Sequence, residues 1–107
     1  MSDRAWKAEE RNVARRLGGV RYPANSGGRV DVEGPGVVVQ VKHVRRLALA
    51  QLEALAVDMA QIGAKRGKAG IVVVKRRAGR GKPTTRLVVM TQAVFERVYG
   101  GSQSEAG

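Results

Sequence analysis

At 107 residues the chain has room for one domain with one hydrophobic core. Lys and Arg number 20 against 9 Asp and Glu, and the resulting net charge of +11 attracts polyanions, nucleic acid first among them, through phosphate neutralisation and counterion release. With 43% hydrophobic residues in periodic segments the chain is no charged disordered tail, and the lack of Cys excludes disulfides, thiolate catalysis and Cys-based zinc sites.

A single histidine, His43, cannot build a His-rich metal site. No basic amphipathic helix with bulky aromatics on its apolar face is present, which disfavours a membrane surface as the partner. The N-terminus lacks the apolar region of a signal peptide, and the longest apolar stretch, Leu47 to Ile62, carries Glu53 and Asp58. A soluble cytoplasmic protein is expected, in the host cytoplasm if the chain is phage-encoded.

Taken in chain order, Asp3 to Leu17 reads as a helix capped by Ser2 or Asp3 and stopped by Gly18-Gly19. Trp6, Glu10, Val13 and Leu17 fall on one stripe, so a carboxylate sits inside the apolar face, while Glu9 lies off it. Arg29 to Glu33 and Gly36 to His43 read as strands joined by a Gly34-Pro35 hairpin, with Glu33 as a turn residue. Along the second strand Val37, Val39 and Val41 point one way and Val38, Gln40 and Lys42 the other. Pairing of Glu33 with Gly36 puts Asp31 opposite Val38, diagonal to Gln40 and on its face; a slip of one residue would move it to the other face.

Leu47 to Ala64 reads as a second helix with two apolar sides, one for the sheet and one for a second subunit, so a homodimer is expected. Ala69 to Lys75 and Arg86 to Met90 supply two more strands around a basic hairpin tip, Arg76 to Thr85. Thr91 caps a last short helix through Tyr99. One domain over residues 1–99 and a disordered tail over residues 100–107 are expected.

The sequence resembles the PD-(D/E)xK nuclease superfamily, in particular the archaeal-type Holliday junction resolvases. The resemblance rests on Ala8-Glu9-Glu10-Arg11 in the first helix, Asn25-Ser26-Gly27-Gly28-Arg29-Val30-Asp31 before the hairpin, and Val38-Val39-Gln40-Val41-Lys42 on the central strand. It implies an α/β, restriction-endonuclease-like core: a mixed central sheet flanked by helices. It also implies a homodimer that nicks paired strands of four-way DNA junctions with Mg2+, for which Mn2+ can substitute.

Hydrolysis of a phosphodiester calls for an activated water and for neutralisation of charge growing on phosphate oxygens, and a divalent cation held by carboxylates supplies both. On this reading Asp31 is the principal ligand and Glu10 a second carboxylate, with the Gln40 amide oxygen and the Val41 backbone carbonyl filling further positions. Lys42 orients or deprotonates the attacking water. Gln40 departs from the family's acidic residue, and its neutral amide is the weaker ligand; Gln stands at the matching place in some related nuclease branches. Ser26 matches a loop serine of the resolvases.

Each of these residues also has a plain structural role: Glu10 snorkelling to solvent, Gln40 and Lys42 on a solvated strand face, Asp31 as a turn residue, Ser26 in a solvated loop. The basic residues Arg11, Arg15, Arg29, Arg45, Arg46, Arg76, Arg77, Arg80 and Lys82 are the expected DNA contacts, and His43 could touch a phosphate. Few aromatics are available, so recognition of backbone and shape is expected over base stacking. A repair, flap or mismatch nuclease of phage type and a non-catalytic basic DNA-binding protein are the alternatives.

Overall fold

A computed structural model describes residues 2–21 and 29–100, residues 2–6 and 21 as backbone only. The chain is an α/β protein with a mixed five-stranded sheet. Helix α1 (Ser2–Arg16) leads into β1 (Val20–Arg21), β2 (Val32–Glu33) and β3 (Val37–Val44), followed by α2 (Leu49–Arg66), β4 (Ala69–Arg76), β5 (Arg86–Val89) and the short α3 (Gln92–Phe95), which runs on as a wider helical turn, Glu96–Gly100. The strands lie side by side in chain order, and only the β3–β4 pair is parallel, because α2 crosses over between them. Gly100 thus belongs to the last helical turn, and the tail expected beyond it lies outside the described residues.

The period-2 alternation of β3 divides the core in two. Val39 and Val41 pack with Val13 and Ala14 of α1 and with Ile71 and Val73 of β4. Val38 packs on the opposite face with Ala56 and Met59 of α2 and with Val72. Val32, Val38, Val39, Met59 and Val72 are 0% exposed, and each such side chain contributes roughly 1.5–3 kcal/mol of burial. α1 ends where expected, with Gly18 in the left-handed region at φ 63°. Its stripe is shorter than expected: Leu17 is 38% exposed, and Ala14 takes the inward position instead.

Two close approaches set the second layer. A Cβ on Gly70 would lie 1.6 Å from the Met59 carbonyl oxygen, and one on Gly63 would lie 2.5 Å from the Lys68 carbonyl oxygen, so α2 rests with its backbone directly on the start of β4. The turn between them is a Gly67 cap at φ 67°, with the Lys68 N–H donating to the Gly63 carbonyl at 2.8 Å.

The hairpin differs from the sequence expectation in register. Val32 pairs with Val39 and Glu33 with Val38, and the Gly34 N–H donates to the Val37 carbonyl at 2.8 Å, so Pro35-Gly36 is the turn. The shift from the expected pairing is two residues, which preserves face. The paired register ends at Val32, and Asp31 is held instead by its own N–H, which donates to the Val39 carbonyl and not to that of Val38. Glu33 is not a turn residue: it ends β2, and its carboxylate takes Arg66 at 2.8 Å and Lys68 at 2.6 Å, tying the hairpin to the α2–β4 turn.

Candidate functional site

Asp31 lies just before β2, where the chain changes sides. Val30 packs in the α2-side core and Val32 in the α1-side core, although residues two apart in a regular strand share a face. The chain is twisted at Asp31, whose own N–H donates to the Val39 carbonyl at 2.8 Å. Its carboxylate Oδ2 accepts the Val41 N–H at 2.8 Å. β2 pairs no further along β3 than Val39, so the aspartate side chain supplies the partner that the strand no longer supplies. In a strand the N–H and C=O of one residue leave by the same edge, so the Val41 carbonyl is presented on the Asp31 side as well.

Gln40 and Lys42 flank Val41 and project to the α2 face, beside their β4 partners Val72 and Val74. Both are half-buried. The Oε1 of Gln40 is buried and, among the described residues, accepts no hydrogen bond. A buried amide oxygen without a donor costs about 1–3 kcal/mol, so the fold retains Gln40 at the expense of stability.

Glu10 is 1% exposed. The inward position expected from the helical stripe is correct, and the solvent-snorkelling alternative is excluded. It sits one turn before Val13 and Ala14, on the side of α1 that meets the odd-numbered face of β3. Asp31 and the Val41 N–H that it accepts thus lie at the β2-side edge of β3, Gln40 and Lys42 project from β3 to the α2 face, and Glu10 is buried on the α1 side of the sheet. Among the described residues no three Asp, Glu, His or Cys side chains form a metal-binding group. The set has two carboxylates, an amide and a carbonyl, all hard oxygen donors of the kind Mg2+ accepts. Ser26 and its neighbours lie outside the described residues.

Glu9 is buried as well, at 5% exposure, and does not lie off the apolar face as the helical stripe implied. Its carboxylate forms a two-pronged ion pair with Arg86 of β5, through Nε and, at 3.1 Å, through Nη2. Arg86 belongs to a cross-strand row, His43–Lys75–Arg86, on the α1 face one step beyond Val41. Sequence reading missed Lys75 and Arg86; the signal was their position at strand ends, in phase with the face carrying His43. Burial lowers the His43 pKa, Glu9 opposes that, and Lys75, Arg77 and Arg86 add to it, so the imidazole holds its proton less tightly than a free one.

Arg11, Arg15, Arg45, Arg46, Arg76, Arg77, Arg80 and Lys82 are all exposed. Arg15 bonds the Asn12 side chain. Arg29 is exposed and lies 3.5 Å from Asp58 in a solvent-facing ion pair. Six of these cations, Arg45, Arg46, Arg76, Arg77, Arg80 and Lys82, lie at or just past the C-terminal ends of β3 and β4 or in the loop that follows β4. No helix among the described residues is long and apolar enough to cross a membrane.

No protein-family model, no curated protein and no solved structure matches this chain.

Proposed function

We propose that the chain is a metal-dependent DNA endonuclease with its site at the Asp31 edge of β3, and that its substrate is branched DNA, a four-way junction in the first instance. The observation that carries this reading is the Asp31 carboxylate anchored on the Val41 N–H beside Gln40, whose buried Oε1 accepts no hydrogen bond among the described residues, with Lys42 on the face of Gln40. The element order of helix, three strands, helix and two strands supports the restriction-endonuclease-like core, and the net charge of +11 supports a polyanionic substrate.

Asp31, the amide oxygen of Gln40 and the Val41 carbonyl would hold Mg2+ or Mn2+, with Glu10 contributing a second carboxylate. The bound cation would supply Lewis acidity toward a phosphate oxygen and a lowered pKa for water. Lys42 holds a positive charge where the phosphate would sit and orients the attacking water. The exposed arginines take phosphates of the duplex arms. A homodimer suits a two-fold substrate, and the second side of α2, where Leu49 is 80% and Val57 40% exposed, supports that assembly.

The test is incubation with immobile junction, flap, mismatched and linear duplex DNA plus Mg2+ or Mn2+, with Asp31→Asn beside the starting protein. Paired symmetric nicks in the junction, absent with Asp31→Asn and with chelator, are expected. Preferential cutting of flap or mismatch substrates would keep the site and change the substrate; no cutting of any of these would leave a DNA-binding protein without catalysis.

A further inference from the structure

The face that carries Gln40 and Lys42 continues into a cavity with no part in the chemistry described above. Lys42, Val74 and Leu87 form one row across β3, β4 and β5. Val74 and Leu87, with Leu52 of α2, floor a cavity of about 210 Å³, and Arg45, Arg46 and Arg76 stand at its rim. No carboxylate lines it. At roughly 30 Å³ per water this is about seven waters' worth of space, suited to a single ring system and smaller than the roughly 300–1,000 Å³ of a drug-sized site.

An apolar seat with three arginines in its lining matches a ligand that is a flat, weakly polar ring joined to phosphate. The lining includes Val44, two residues or about 7 Å beyond Lys42 along β3 and on the same face, so the seat begins beside Lys42, within reach of the nucleotide adjoining a phosphate held there. We infer that this cavity receives the base of an unstacked nucleotide next to the scissile phosphate. The inference rests on the nuclease reading and supplies it with a source of structure selectivity. A base at a branch point is already poorly stacked and enters at low cost, whereas a base within linear duplex must first be unpaired. Because the seat is aliphatic and its cations are arginines, stacking is replaced by burial and guanidinium contact. A count of aromatic residues would not reveal it.

The experiment places 2-aminopurine, whose fluorescence rises when it leaves the stack, at the branch point of a junction or three base pairs into one arm. The starting protein is added with chelator, so binding is read without cleavage. A rise at the branch point and none in the arm is expected, since no aromatic side chain lines the cavity to quench it. Leu87→Asp changes a residue already 57% exposed and should abolish the rise and most of the preference for junction over linear duplex. Val20→Asp makes the same charge change at a position 67% exposed and outside the cavity, and should preserve both. Tight junction binding without a rise, or a rise that survives Leu87→Asp, overturns the cavity assignment and leaves the nuclease reading intact. Failure of the starting protein to bind any DNA overturns both.

Discussion

The two edges of the central parallel pair are built on opposite principles. Where α2 meets β4 the backbones touch: Gly63 and Gly70 admit no side chain, and Met59 and Val72 are 0% exposed. Where β3 runs past the end of β2, the chain half-buries an aspartate and a glutamine and hands a strand N–H to the aspartate side chain. The first region is what elementary packing would design. The second spends stability without a packing return, and that contrast marks it as the place where the protein does something other than fold.

The largest effect should come from the packed seam. Gly70→Ala brings a Cβ to 1.6 Å from a carbonyl oxygen that cannot rotate away, and a loss of about 3 kcal/mol or more is expected. Urea unfolding of the purified variant measures it, and a midpoint close to that of the starting protein would show that the seam is looser than described.

Gln40 should behave in the opposite way. Gln40→Leu removes a buried acceptor that receives no hydrogen bond from the described residues, so stability should hold or rise by up to about 1 kcal/mol, while divalent-cation affinity falls. Gln40→Glu should tighten the cation and destabilise the cation-free protein, since it adds a second buried charge near Asp31. A thermal melt with and without Mg2+ reads both. Equal melting shifts with Mg2+ for all three proteins would remove Gln40 from the site and blur the contrast between the two edges.

How much of this was legible in the sequence follows the range of the interactions. The inward Glu10 and the alternation of β3 are local periodicities, and both were readable. The hairpin register was not, because Gly34-Pro35 and Pro35-Gly36 are equally good turn dipeptides, and Asp31 falls just outside the paired residues. β1, two residues long, carries no alternation to detect, and the strand expected to begin at Arg29 begins at Val32 because the chain twists at Asp31. Glu9 was misjudged because its partner Arg86 is 77 residues away. A helical stripe 100° wide does not reveal a carboxylate that reaches sideways to a distant strand. The arginine-rimmed cavity joins β3, α2, β4 and β5, and no window of sequence contains it.

The central claim, that the polar edge of β3 is a cation site, is tested most directly by calorimetric titration of Mn2+ into the starting protein and into Asp31→Asn without DNA. The account predicts a saturable site on the starting protein that Asp31→Asn loses while keeping a folded far-ultraviolet spectrum. Undiminished Mn2+ affinity in Asp31→Asn, or no saturable binding to the starting protein, would contradict it.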